Sequence, residues 1–168
     1  MNLFGCQDNS KCSVAIQTWY GKYVTADSNH SVHANHTEIG EIGHHYVGLW
    51  DFYNTGDKVK ISKSAMNKML PEYLIAFGDT GRLELISQHM HESHTESKIW
   101  KVGNKGNGRF TFKSNHGKFL VANENGDLKA NSDVTVPGDT FKVIPYEDPT
   151  GMGIEIVMKL KFESCDTN

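Results

Sequence analysis

Several features that define common protein classes are scarce in this chain of 168 residues. Its three cysteines are too few for a disulfide scaffold, and their odd number favours a reducing compartment, so we expect a cytoplasmic protein. No apolar run approaches a membrane span, so we expect none. The N-terminus has no cationic head followed by an apolar segment, so the protein either has no signal peptide or has already lost it, and secretion stays an open alternative to the cytoplasm. The formal charge of -3 argues against nucleic acid as a general partner.

Catalytic signatures are missing as well. The sequence contains no G-x-S-x-G elbow, no P-loop, no G-x-G-x-x-G after a strand and no H-E-x-x-H. Its paired carboxylates fall in predicted loops or on strand surfaces, where solvation is the usual explanation. We therefore predict a protein that is not an enzyme and that carries no cofactor.

What the sequence does contain is one pattern written three times. Each copy has an alternating run, an aromatic-led run that ends in alanine, a third short run and an aromatic strand, separated by Gly, Asn and Asp turns. The copies read VAIQT, KYVTA, SVHAN, LWDFY, then VKISK, EYLIA, RLELI, IWKV, then FTFKS, KFLVA, DLKAN, TFKV. Almost nowhere does an apolar period of 3.6 residues persist, so the pattern predicts an all-β protein.

Twelve short strands in three equivalent groups predict one shared core. Each group is too small to fold alone, and closure into a barrel removes exposed strand edges. We expect a single domain over residues 1–168, in which the added residues fall in loops between strands. The expected repeats are 13–54, 57–104 and 108–147, and the expected insertions are 36–48, 64–72 and 87–97.

Residues 153–162 follow the third repeat and alternate apolar and polar side chains with a period of two. They predict an extra C-terminal strand. This strand either pairs with the N-terminal arm to cover the closure of the barrel or forms the edge of a homodimer through residues 154–162, and both interpretations are open.

The third repeat carries the residues of a family resemblance. A glycine-lysine-aromatic hairpin is followed by a closing alanine, an Asn/Gly turn, a Leu-x-Ala strand and an aromatic strand, at Gly117, Lys118, Phe119, Ala122, Gly126, Leu128, Ala130 and Phe141. The first repeat matches most of these positions with Gly21, Lys22, Tyr23, Ala26, Val32, Ala34 and Trp50, and the middle repeat keeps Tyr73, Leu83 and Trp100. Over about 13–144 the chain resembles the fascin and hisactophilin class of β-trefoils.

That resemblance implies a β-trefoil of three four-stranded repeats and a non-catalytic role in binding actin or the cytoskeleton. Fascins carry four trefoils in tandem, whereas this chain has one, so crosslinking of filaments would require dimerisation. The main alternative is a carbohydrate-binding β-trefoil lectin, because three equivalent loop sets can present three shallow sugar sites. The ricin-type Gln-x-Trp signature is absent from the fourth strands.

Two groups of residues are candidates for partner binding. Trp19 and Tyr20 occupy the tip of the first hairpin, where exposed aromatics indicate a protein contact or a sugar-stacking site unless insertion loops cover them. Lys22, Lys113, Lys118 and Lys129 would form a basic face for an acidic partner if they cluster in space. The aromatics at equivalent repeat positions, such as Trp50 and Trp100, are expected in the core.

Histidines, cysteines and asparagines leave further questions open. His89, His91 and His94 are an alternative metal site, although no fourth ligand is evident and we expect no bound metal. The nine histidines also leave a pH-sensing role open. Cys6 or Cys12 could pair with Cys165 if the termini meet. Asn29 and Asn35 begin glycosylation triplets, which matter only if the protein is secreted.

Overall fold

The computed structural model describes residues 4, 11–27, 31–38, 40–42, 45–63, 71–78, 80–87 and 96–146. Their strands are β1 (Lys11–Gln17), β2 (Tyr23–Ala26), β3 (Val32–His36), β4 (Gly40–Ile42), β5 (His45–Val47), β6 (Trp50–Thr55), β7 (Lys58–Lys63), β8 (Glu72–Ala76), β9 (Leu83–Ser87), β10 (Ile99–Gly106), β11 (Arg109–Lys113), β12 (Phe119–Ala122), β13 (Leu128–Ser132) and β14 (Phe141–Pro145). Two 3₁₀ turns, Glu96–Lys98 and Pro137–Asp139, complete the regular structure.

All twelve strands expected from the three repeats are present in the predicted order, and the described residues form an all-β structure with almost no helix. One prediction was incomplete. The first insertion, expected as a loop, contains the two-stranded sheet of β4 and β5, in which Ile42 lies opposite His45. A hairpin this short carries almost no alternating pattern, so it could not be predicted from the sequence.

Six strands close into a barrel. Strand β1 pairs with β6, and antiparallel pairing continues through β7, β10, β11 and β14 back to β1. In the sequence these are the first and fourth strands of each repeat. Closure leaves none of the six with an unpaired edge, so apolar side chains on alternate positions can share one interior.

The barrel interior is filled by aromatic rings. Trp50, Trp100 and Phe141, the expected aromatics of the fourth strands, are at most 1% exposed. Phe4 enters the same core from the N-terminal arm and lies 4.9 Å from the Phe52 ring and 5.0 Å from the Phe110 ring. Ring contacts at these distances pack the interior at near-crystalline density.

The aromatics that lead the second strands are less buried than expected. Tyr23, Tyr73 and Phe119 are only partly buried, because each lies at or next to the start of a strand that leaves the barrel wall. Two of them have a lysine ammonium above the ring. Lys98 Nζ lies 5.0 Å from the Tyr73 centroid, and Lys113 Nζ lies 5.2 Å from the Phe119 centroid.

The second and third strands of the repeats form three hairpins, β2–β3, β8–β9 and β12–β13, which join the barrel through the first strand of each repeat. A fourth-strand tryptophan fastens two of them. Trp50 Nε1 donates to the Val24 carbonyl at 2.9 Å, and Trp100 Nε1 donates to the Leu74 carbonyl at 3.0 Å. The identical spacing of 26 residues in the two bonds shows that the sequence repeat is also a repeat in structure.

The hairpins also bond to one another. The Ala34 N–H donates to the Gly126 carbonyl, and the Ala130 N–H donates to the Gly81 carbonyl, both at 2.8 Å. Each bond joins a third strand to the turn of a hairpin in another repeat. These contacts connect repeats that are far apart in the sequence and fix their relative positions.

Several predictions fall outside the described residues: the extra strand 153–162, His89, His91, His94, Asn29, Cys6 and Cys165. Cys12 is buried and disulfide-bonded. Disulfides are rare in reducing compartments, so this bond weighs against a cytoplasmic location, which stays a prediction. Within the part of the chain that the structure describes, no helix is long and apolar enough to cross a membrane.

Candidate functional site

Trp19 lies at the tip of the hairpin between β1 and β2. The Thr18 N–H donates to the Lys22 carbonyl at 2.8 Å and the Gly21 N–H donates to the Thr18 carbonyl at 3.0 Å, which closes a tight turn. Because the turn leaves no room to fold its central side chains inward, Trp19 is 49% exposed and Tyr20 is 43% exposed. Such exposure is unusual for two adjacent large aromatics and indicates a contact surface.

A second turn, between β10 and β11, lies beside Trp19. Asn107 is the only described residue other than glycine with a positive φ, at 56°, and it stands between Gly106 and Gly108, which share that conformation. Asn104 Oδ1 accepts the Gly106 N–H at 2.9 Å and holds the start of the turn. A positive φ is uncommon in residues other than glycine because it costs free energy. Asparagine tolerates this conformation better than most residues do.

The third part is the loop before β14. The Asp139 carboxylate accepts the Val136 N–H at 3.0 Å, and the Thr140 hydroxyl donates to the Pro137 carbonyl at 2.7 Å. These bonds fix the 3₁₀ turn Pro137–Asp139. A Cβ added at Gly138 would lie 3.9 Å from the Trp19 indole, and Val136 stays 61% exposed.

Together these three segments enclose an open groove with a volume of about 330 Å³, here called the Trp19 groove. Trp19 forms one wall, and Val136 and Pro137 extend the apolar lining. The polar part of the lining includes Asn107 and Thr135. The full set is Trp19, Lys105, Gly106, Asn107, Arg109, Thr135, Val136, Pro137 and Thr140.

The Trp19 groove is positively charged. Its lining includes Lys105 and Arg109 and no carboxylate. The Arg109 guanidinium carbon lies 4.8 Å from the indole centroid of Trp19, a cation–π contact that holds both side chains in place. Arg109 Nη1 is buried and has no hydrogen-bond partner among the described residues. A buried guanidinium N–H without a partner costs free energy.

Lys142 adds charge next to this pair. It lies directly opposite Arg109 on the neighbouring strand β14, so the two side chains leave the same face of the sheet. Like charges in this arrangement repel each other. The part of the chain described here provides neither Arg109 nor Lys105 with an ion pair.

The lysines predicted as a basic face do not assemble around Trp19. The Lys118 ammonium forms an ion pair with Asp133, which neutralises it. Lys113 lies over the Phe119 ring, and Lys129 is exposed on β13. Lys22 is partly buried on the first hairpin, close in sequence to Trp19 but not part of the groove lining.

The equivalent positions around the third-repeat hairpin do not reproduce the groove lining. In the third repeat the hairpin has the same two hydrogen bonds, from Ser114 and Gly117, and Asn115 takes the position of Trp19. The Val143 N–H donates to the Gly108 carbonyl, and the Val102 N–H donates to the Asp57 carbonyl in the same way, so Asp57 is equivalent to Gly108. The residue after each acceptor is then equivalent too, and Lys58 takes the position of Arg109. These equivalent positions have no aromatic ring, since Asn115 replaces Trp19, and they include an acid, Asp57. The lining of the Trp19 groove is therefore not part of the repeated pattern.

Sequence reasoning found Trp19 and Tyr20 but missed Lys105, Arg109 and Val136. A weak signal existed in the stretch NKGNGR (104–109), where two cations flank a glycine-rich turn. Nothing in the sequence places this turn beside residue 19. The groove arises only when β14 pairs with both β1 and β11.

No metal or cofactor site emerges from the described residues. None of their His, Cys, Asp and Glu side chains form a group that could hold a metal ion. His33 and His36 stack at 6.1 Å on β3 without a carboxylate or thiol that would complete such a group. The alternative site at His89, His91 and His94 lies outside the described residues.

The chain matches no protein-family model, and a comparison with curated proteins likewise gives no match. The candidate site therefore depends on its geometry alone.

Proposed function

We propose that this protein is a non-catalytic binding protein that contacts a protein partner through the Trp19 groove and the adjoining Tyr20. The observation that carries the proposal is the pairing of an exposed Trp19 with an Arg109 that has no carboxylate partner among the described residues. Tryptophan, tyrosine and arginine dominate the energetically important centres of protein interfaces. By its resemblance to fascin and hisactophilin, the partner we expect is actin or another cytoskeletal protein.

The fold supports this resemblance. A six-stranded closed barrel with three attached hairpins, related by repeated hydrogen bonds, is the arrangement expected of a β-trefoil, and we propose that the chain is one. Folds host many functions, so this supports the structural part of the resemblance more than the actin-binding part.

A carbohydrate-binding role is the second candidate. An exposed indole beside Asn107 and Thr135 offers a stacking surface and hydrogen-bonding groups of the kind that hold a sugar ring. Trp19 would then stack on the sugar.

Filament co-sedimentation at low and high salt, run beside a glycan array, distinguishes the two. We expect the protein to pellet with actin filaments, more weakly at high salt because charged contacts are screened, and to give no glycan signal. Glycan binding without pelleting would reject the cytoskeletal proposal in favour of the lectin.

Two variants make the same assay specific to the site. Trp19→Ala removes the indole and should reduce pelleting about tenfold or more, as expected for a central interface residue. Asn115→Ala changes the equivalent exposed position of the third repeat and should leave pelleting unchanged. Equal losses in both variants would show that the Trp19 groove is not the contact.

A further inference from the structure

The charge of the Trp19 groove differs from that of the whole chain. The protein has a formal charge of -3, yet the groove lining has two cations and no acid, and Lys142 adjoins it. The Asp139 carboxylate, in the loop before β14, accepts the backbone N–H of Val136 and does not line the groove. The groove is thus complementary to a negatively charged group that the described part of the chain does not supply.

The shape and chemistry of the lining restrict the kind of anion. Val136 and Pro137 form an aliphatic wall that has no aromatic face for stacking and no side-chain hydrogen-bond donor. Sugar hydroxyls or phosphate oxygens held against this wall would lose water without gaining a partner. An apolar side chain placed there would instead bury surface against Trp19, 49% exposed, and Val136, 61% exposed.

We propose that the Trp19 groove binds an acidic segment of a protein partner, with an Asp or Glu carboxylate held between Arg109 and Lys105 and a neighbouring apolar side chain against Trp19 and Val136. The inference rests on the proposed role as a protein-binding module and specifies which partner chemistry it takes. Guanidinium and ammonium groups form short, charge-assisted hydrogen bonds with carboxylates. The cation–π contact with Trp19 orders the guanidinium before binding and so reduces the entropy lost on association.

A selection from displayed random short peptides tests this chemistry without assuming the partner's identity. We expect the selected peptides to combine Asp or Glu with an adjacent apolar residue. An enriched peptide, free of tryptophan and made with a fluorescent label, is then titrated against the intact protein. A matched peptide with Gln or Asn in place of each acid should bind about tenfold more weakly.

Variants connect the binding to the groove. Arg109→Gln and Lys105→Gln should each weaken binding of the acidic peptide about tenfold and reduce its dependence on salt. Lys58→Gln, which changes the cation equivalent to Arg109 in the second repeat, should have no effect. Lys105 is exposed, so we expect Lys105→Gln to leave the stability unchanged and to report on binding even if Arg109→Gln lowers the stability. Unfolding curves of all three variants identify any loss of stability.

Each result has one meaning. Selected peptides without acidic residues, or equal losses in Lys58→Gln and Lys105→Gln, would overturn the inference. Preferential binding of a sulfated oligosaccharide over the acidic peptide would overturn it in favour of an anionic glycan. If acidic peptides bind through Arg109 and Lys105 but the protein does not pellet with actin, only the proposal of a cytoskeletal partner is rejected.

Discussion

Gly126 provides the sharpest test of how the repeats hold together. It is buried, has a φ of +97°, and its carbonyl accepts the Ala34 N–H from another repeat. A Cβ at this position would lie 2.9 Å from the Ala34 carbonyl oxygen, closer than real side chains approach backbone. The Gly126→Ala variant must therefore move the hairpin of β12 and β13 away from β3.

Gly117 is a matched control because its backbone has nearly the same strain without the contact. Its φ is +79°, and the nearest atom to an added Cβ is a lysine side-chain carbon at 4.0 Å. Gly117→Ala should lower the free energy of unfolding by about 1–2 kcal/mol, the penalty for placing alanine in the left-handed conformation. Gly126→Ala should lose about 0.5–1.5 kcal/mol more, because the hydrogen bond between repeats is weakened as well.

Urea unfolding measures both free energies directly, and thermal unfolding provides an independent check. A further loss of 1 kcal/mol corresponds to a melting temperature lower by about 2–4 °C in a domain of this size. If the two variants lose the same free energy of unfolding, the hydrogen bond between Ala34 and Gly126 does not contribute to stability. That result would refute the claim that hydrogen bonds between hairpins fix the relative positions of the repeats.

Three further substitutions test the core and Asp51, the one buried acid among the described residues. Burial raises the pKa of the Asp51 carboxyl above 3.8, although nearby Lys11 and the hydrogen bond from Ser13 act in the opposite direction. Asp51→Asn should therefore stabilise the protein near pH 7 and have little effect below pH 3.8. The free energy of unfolding, measured as a function of pH, checks both outcomes. Phe4→Ala should cost about 3–5 kcal/mol in urea unfolding, because Phe4 is 4% exposed in the core. Trp100→Phe should cost about 1–3 kcal/mol in the same assay by leaving the Leu74 carbonyl unsatisfied.

The sign of the Asp51 effect follows from proton binding. With the pKa raised on folding, the native state binds more protons than the unfolded state between the two pKa values, so stability falls as the pH rises through that range. A stabilisation by Asp51→Asn that is equal at pH 3 and pH 7 would contradict this cause. For the core variants, a loss below about 1 kcal/mol from Phe4→Ala would show that the N-terminal arm contributes little to packing.

The strands were predictable because their information is local. Alternation, aromatic positions and turn residues repeat within each segment, and the twelve strands expected from the three repeats appear at their places. Phe4 was not predicted, since its short segment has no alternation and its burial depends on the rings of Phe52 and Phe110. The small sheet of β4 and β5 was missed for a similar reason.

The candidate site was only half predictable. The exposure of Trp19 follows from its place in a tight turn, which a sequence displays. Its neighbours Lys105 and Arg109 lie about ninety residues away in the chain, and only the pairing of strands around the barrel brings them together. The ion pair of Lys118 with Asp133 was unpredictable for the same reason, because no local pattern encodes that contact. Whether Lys22, Lys113, Lys118 and Lys129 act as a basic face stays a prediction.

Trp19 is the residue on which the proposed function depends, and fluorine NMR of the protein labelled with fluorotryptophan observes it directly. The three tryptophans should give one resonance from Trp19, assigned with Trp19→Phe, and two from Trp50 and Trp100, which are at most 1% exposed. On addition of filaments or of a selected acidic peptide, we expect the Trp19 resonance alone to shift or broaden. Saturable binding that leaves the Trp19 resonance unchanged would contradict the proposed binding site.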